Sequence, residues 1–239
     1  MDTIEDFKTR GFISVKYSPK IQWAIEQVSA SWKAFCALPE EVKKSLPYSN
    51  NADGVGYELK DGIGNKADRK ENFDIALGGQ AWLEENIEKI DEPVALQLLR
   101  DALMLVRLMK PLLVDFAKRV EESFDIPGFA QEVEESERGY FIRLIHYLGD
   151  REVGEETASS HVDQSGFSPH LFQSAPGLQY KTYGGSWEDM PIGDGETVIF
   201  PAMQMQLRSK GLIRALCHRV VATAETAKKD GIQGFVLCN

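Results

Sequence analysis

With 239 residues, 43% of them hydrophobic, the chain can bury one sizeable core, and mixed or all-β units of this length are commonly a single domain. A formal net charge of −10 sets it against nucleic-acid phosphates and anionic membranes at long range, so neither is an expected partner. The acidic start Met1-Asp2-Thr3-Ile4-Glu5-Asp6-Phe7 lacks the apolar stretch of a secretory signal, no run of about eighteen apolar residues spans a membrane, and Cys36, Cys217 and Cys238 read as scattered reduced thiols, which together predict a cytoplasmic protein.

The first half, residues 1–138, reads as mainly helical. A short strand, Gly11-Phe12-Ile13-Ser14-Val15, precedes a helix over residues 21–35, where Ile21, Trp23, Ala24, Ile25, Val28 and Trp32 partly follow helical spacing. Pro39-Glu40-Glu41 opens a further short helix. From Asn50 to Arg69 the Gly, Asn and Asp content predicts an irregular loop carrying Tyr57, either a lid over a pocket or an ordinary mobile loop. A long amphipathic segment from Val94 to Phe124 is expected to brace a sheet, kinked or divided at Pro111.

Residues 139–239 change texture to short apolar runs between turns. The expected strands are Tyr140 to Leu148, His161 to Phe172, Gly177 to Tyr183, Glu196 to Phe200, Leu212 to Thr223 and Ile232 to Cys238, punctuated by Pro176-Gly177, Gly184-Gly185 and Asp194-Gly195. Helices followed by many strands predict an α+β protein with a β-sandwich or jelly-roll core. No repeat or linker divides it, so residues 1–239 are expected to form one domain.

Within that half, His161-Val162-Asp163 and His218 are the residues to which a metal would bind. Two neutral imidazoles and one carboxylate on one side of a first-row ion leave the other side open for a co-substrate and O₂. On a strand, residues two apart point the same way, which would aim His161 and Asp163 at a common point. The pair alone is weak, because His-x-Asp arises often by chance and an imidazole on an apolar strand is more commonly a hydrogen-bonded core residue.

More of the text follows one pattern. Gly11-Phe12-Ile13, the stretch Phe35 to Lys43 with its Leu38-Pro39-Glu40, the segment Asp68 to Phe73, and Arg143-Leu144-Ile145-His146-Tyr147 come first. Then follow His161-Val162-Asp163, Pro176-Gly177-Leu178-Gln179-Tyr180, Trp187, Ser209-Lys210-Gly211 and His218-Arg219-Val220-Val221, in order. In these motifs the chain resembles the iron(II)/2-oxoglutarate-dependent dioxygenases, in particular the isopenicillin N synthase-like branch, over almost its whole length. The resemblance implies a double-stranded β-helix core and Fe(II) held by His161, Asp163 and His218. It also implies 2-oxoglutarate as co-substrate, decarboxylated to succinate as a small molecule of specialised metabolism is hydroxylated, desaturated or cyclised with O₂. No acid or base beyond the metal ligands is expected.

The pattern is broken where the branch carries an Arg-x-Ser unit for the distal carboxylate of 2-oxoglutarate. Lys229 and Gly231 stand there, so the charge is kept while the planar fork and the hydroxyl are lost. Lys228 could serve instead. Tyr147 matches a position whose hydroxyl reaches the same carboxylate, and Arg143, on the same strand face, is a second candidate anchor or a surface ion pair. Arg143, Gln233 and Phe235 are expected to line the pocket. His170 replaces an apolar residue and reads as a histidine of the core or behind the metal ligands, not a fourth ligand, and Pro201-Ala202 replaces a Gly-Asp. The absence of the branch's terminal extensions leads us to expect a more open pocket. Three other readings share the residues: an Fe(II)/O₂ oxidase without 2-oxoglutarate, a non-catalytic metal- or ligand-binding relative, and a zinc hydrolase.

Overall fold

The computed structural model of the protein describes residues 4–50, 54–60, 69–136, 140–149 and 151–238. A short helix α1 (Asp6–Thr9) and strand β1 (Ile13–Lys16) lead into helix α2 (Pro19–Cys36). Ser18 caps α2 by accepting the Ile21 N–H at 3.3 Å, with Pro19 in the first position. Ile21, Ala24, Ile25, Val28, Trp32 and Phe35 recur every three or four residues and are all buried.

After helix α3 (Glu40–Lys44), the region expected to be one loop contains strand β2 (Gly56–Lys60), antiparallel to β3 (Lys70–Ala76). Residues 51–53 and 61–68 of that expected loop lie outside the described residues. The polar text of β3 gives no strand signal in the sequence, yet Glu71, Asn72 and Asp74 are all buried. Helix α4 (Gln80–Ile90) and the long helix α5 (Pro93–Phe124) follow, then α6 (Phe129–Glu135). The α5 helix runs unbroken through Pro111, contrary to the expected division. Proline removes one backbone donor there, but Pro111 is exposed while Met109, Leu113 and Val114 are buried beside it, so packing outweighs the lost bond.

The later strands are β4 (Phe141–Tyr147), β5 (Glu156–His161), β6 (Phe167–Gln173), β7 (Leu178–Lys181), β8 (Trp187–Asp189), β9 (Glu196–Pro201), β10 (His218–Val221) and β11 (Ile232–Cys238), with helix α7 (Met203–Arg208) after β9. They form two sheets, a seven-stranded one in the order β1-β9-β6-β11-β4-β3-β2 and a four-stranded one in the order β5-β10-β7-β8, with every pair antiparallel. The protein is therefore α+β, and β1, β2 and β3 from the helical half belong to the larger sheet. The expected strand over 161–172 is two strands on different sheets, because the turn at 162–166 is tied down by α7: Met203 N–H donates to Asp163 O at 2.9 Å and Gln204 N–H to Ser165 O at 3.0 Å. Likewise only 218–221 of the expected 212–223 strand is extended in the ladder. No helix among the described residues is long and apolar enough to cross a membrane.

The large sheet has two unlike faces because side chains alternate along each strand. Ile142 and Leu144 of β4 join the core built with α2 and α5, and Trp32 Nε1 donates to Ile145 O at 3.2 Å to tie α2 to that strand. On the opposite face Ile145 and Tyr147 meet Ala158 of the smaller sheet. A cavity lies between the sheets. Within the smaller sheet, Gly177 lets the start of β7 approach the end of β10 closely: it has φ +147°, Val221 N–H donates to its carbonyl at 2.9 Å, and a Cβ there would lie 2.5 Å from Val221 O.

On the helical side of the sheet, Glu71 is the hub of a buried polar cluster. Its carboxylate accepts from Lys43 Nζ at 2.7 Å and from the Tyr57 hydroxyl at 2.6 Å, and it pairs with His146 Nδ1. Tyr57 is thus a core residue, 3% exposed, and not part of a lid. Cys36, Glu71 and His146 bring ligand-type atoms within 4.8 Å of one another, but the Lys43 ammonium already supplies the cation.

Candidate metal centre and its cavity

His161 ends β5 and His218 begins β10, and the antiparallel ladder sets them directly opposite each other. Their ring centroids are 4.4 Å apart. Asp163 lies beyond the strand, in the turn clamped by α7, so its approach to His161 comes from that turn and not from simple strand alternation. Asp163 Oδ1 is 3.3 Å from His161 Nε2 and 3.9 Å from His218 Nε2. Donor atoms about 2.1 Å from a first-row ion and at right angles stand about 3 Å apart, so a small inward movement would close the trio on a metal.

The donor chemistry fits. His161 Nδ1 is 2.7 Å from Ser159 O and His218 Nδ1 is 3.3 Å from Leu216 O. A carbonyl oxygen only accepts, so each Nδ1 carries the hydrogen and each Nε2 is left with a lone pair for a metal. Burial pushes His218 below the ordinary imidazole range, which favours the neutral form a metal requires. His161, half exposed, is pushed upward by its bond to Asp163. Burial would raise Asp163, but His161, the charge of His218 and the Ser168 hydroxyl hold it down at about 2, so it is an anion at neutral pH.

Ser168, on β6, donates to Asp163 Oδ2 and leaves Oδ1 facing the imidazoles. Partners of this kind orient a ligand. We expect Ser168→Ala to weaken Fe(II) binding by roughly 10–100-fold without loss of fold. A competitive chelator titration would measure it, and unchanged affinity would mean that Ser168 does not orient the carboxylate.

The trio opens into the cavity between the sheets, with Ile145, Leu178, Phe200 and Val220 among its apolar walls. Lys70, Arg143, Arg151 and Lys229 also line it, whereas Asp163 is the one acid among the described lining residues. In a chain of net charge −10, this concentration of cations selects for an anionic occupant.

The residues expected to hold 2-oxoglutarate fare unequally. Tyr147, Arg143 and Lys229 all line the cavity, and Arg143, Ile145 and Tyr147 do share a face. Yet Arg143 forms a two-pronged pair with buried Asp74 on β3, Nε to Oδ1 at 2.9 Å and Nη2 to Oδ2 at 2.7 Å. The Lys229 ammonium reaches Glu225 at 3.0 Å, and both side chains are more than half exposed. Gln233 lines the cavity but is also tied to Ser29 of α2, its Oε1 accepting from the Ser29 hydroxyl at 2.6 Å. Phe235 is fully buried against Phe172 on the helical side, because Gly234 and Val236 take the cavity face. His170 is buried on β6 and lines the cavity, and burial lowers it to about 4, leaving it neutral.

No family model matches the chain. Among solved structures, a full-length Neurospora crassa protein in complex with alpha-KG and thymine matches 99% of this chain and 78% of its own, at a TM-score of 0.75 and 19% identity. Dioxygenase for auxin oxidation 1 of Arabidopsis thaliana, in complex with 2-oxoglutarate, matches 98% of this chain and 84% of its own, at a TM-score of 0.73 and 14% identity. The chain has the fold of these proteins. In sequence it is 24% identical over 232 residues to the 2-oxoglutarate-dependent dioxygenase frbJ of Dothideomycetidae sp. (strain 11243), a match over 91% of this chain. The chain spans 63% of the length of that curated relative. Within this fold, sequence reasoning misses Ser168, Asp74 and Arg151 as residues in or beside the cavity. Ser168 lies five positions after Asp163 with no motif to mark it, and a charged loop residue such as Arg151 reads as surface.

Proposed function

We propose that the protein is a non-haem Fe(II)-dependent oxygenase that couples oxidative decarboxylation of 2-oxoglutarate to hydroxylation, desaturation or cyclisation of a small molecule. The observation that carries this is the convergence of two imidazole Nε2 atoms and one carboxylate oxygen beside a cavity whose charged lining, among the described residues, is cationic but for Asp163. The curated relative is named for the same activity, and two of the matched folds contain the co-substrate. The two antiparallel sheets with the metal residues between them support the double-stranded β-helix reading, and the scattered thiols support a cytoplasmic setting.

His161, Asp163 and His218 would hold the metal, and the bound metal with 2-oxoglutarate supplies the oxygen activation that the side chains lack. The chain's own part is placement. Asp163 offsets one unit of the metal's charge, Ser159 O and Leu216 O keep each imidazole in the tautomer that presents Nε2, and Ser168 turns the carboxylate. The apolar walls exclude water from the reacting centre. His161 is the exposed side of the trio, which gives a path for substrate to reach it.

Anaerobic titration of the Fe(II)-loaded protein with 2-oxoglutarate should produce a metal-to-ligand charge-transfer band, and admission of O₂ should release succinate. Iron binding with neither signal would instead favour an oxidase that does not use 2-oxoglutarate. The surface pairing of Lys229 and the glycine at 231 are the observations on that side.

A further inference from the structure

We propose that Arg151, and not the Lys229 that occupies the expected sequence position, holds the distal carboxylate of 2-oxoglutarate. This rests on the functional reading above. Arg151 is 5% exposed, yet no acid pairs with it among the described residues. Its Nη2 donates to Arg69 O at 3.2 Å, while its buried Nε has no hydrogen-bond partner. A buried guanidinium with neither counter-charge nor full hydrogen bonding is costly, and burial of this kind is normally matched by an anion. The side chain lines the cavity, so the anion would come from there.

Its position suits the far end of a dicarboxylate. From His218 the β10 strand runs to Val221, about 10 Å along the ladder at strand rise. Val220 and Val221 line the cavity along the way. Beyond them the chain turns, and Arg151 N–H donates to Ala227 O at 2.8 Å, which fixes Arg151 at the end of the cavity remote from the metal residues. A linear five-carbon acid with one carboxylate at the metal would extend its other carboxylate toward this end. Tyr147 and Thr226 line the cavity too, and the Ile232–Tyr147 pairing brings the tyrosine to the same end of the sheet. Of the competing cations, Arg143 is engaged with Asp74 and Lys229 with Glu225, and Lys70 lies close enough to His161 to act on its charge, toward the metal end. An arginine fork also matches a carboxylate as a lysine ammonium does not.

The test compares 2-oxoglutarate with 2-oxopentanoate, in which a methyl group replaces the distal carboxylate, by anaerobic titration of the Fe(II)-loaded protein. For Arg151→Ala we expect 2-oxoglutarate affinity to fall by roughly 10–100-fold while 2-oxopentanoate affinity is unchanged. Lys229→Ala should alter either affinity by less than about threefold. Should the alanine variant not fold, Arg151→Lys gives the same comparison, with roughly a tenfold loss confined to 2-oxoglutarate. Unchanged 2-oxoglutarate binding in the Arg151 variants, or equal loss of both acids, would overturn the assignment. Wild-type protein that binds iron but neither acid would overturn the functional reading and this inference with it, a result distinct from failure of the variants alone.

Discussion

Asp163→Ala will abolish stoichiometric Fe(II) binding, and with it succinate formation, while the protein remains folded. The expectation follows from what the carboxylate does in the trio: it supplies the anion beside two imidazoles, and it stands within 3.9 Å of both. Without it no ligand of the trio offsets the metal's charge, and two nitrogens alone define no face. The loss should exceed the roughly 10–100-fold that removal of a supporting partner costs, as for Ser168. His218→Ala should behave similarly, since His218 is the buried imidazole of the trio. Metal content after dialysis and the charge-transfer band are the measurements. A variant that retains iron with wild-type affinity would show that the metal binds elsewhere.

Glu71→Gln should destabilise the fold by about 3–5 kcal/mol at neutral pH, because it leaves the buried Lys43 ammonium without its anion. A pH signature separates this from general damage. Burial would raise the Glu71 pKa, but bonds from His146, Lys43 and Tyr57 hold it at about 2, against 4.5 ordinarily. A folded-state value below the unfolded one means that the group stabilises above pH 4.5 and that this stabilisation is lost as pH falls toward 2. Each tenfold change in proton affinity corresponds to about 1.4 kcal/mol, so the amount at stake is at most on the order of 3 kcal/mol. Urea unfolding of both proteins should therefore show a gap that narrows as the pH falls from 4.5 toward 2. A gap independent of pH would mean that the charge of Glu71 is not what stabilises the fold.

The candidate metal residues stand out because their order and spacing are written along the chain, and the long helix and most later strands are legible from their apolar rhythm. What the sequence hides depends on partners distant along the chain. β3 looks polar because its Glu71 and Asp74 are matched by Lys43, Tyr57, His146 and Arg143, up to 75 residues away. Tyr57 reads as part of a lid because nothing local reveals the carboxylate it meets. Arg143 falls on the expected face, but its pairing with Asp74 is decided by the β3–β4 register. His161 and Asp163 read as neighbours on one strand, whereas Asp163 sits in a turn held in place by α7, some forty residues on.

The order of the large sheet has a kinetic consequence. Its central strand, β11, is the last in the chain, flanked by β6 on one side and β4 on the other. Until residues 232–238 arrive, β1-β9-β6 and β4-β3-β2 are two three-stranded pieces, each with an open edge. Such edges invite mispairing, and closure over long sequence separations is slow. Ile232, Gly234 and Val236 of β11 also supply cavity wall. Pairing of β11 therefore joins the two pieces and completes the pocket together, and during refolding the return of ligand binding is expected to lag the return of helical signal.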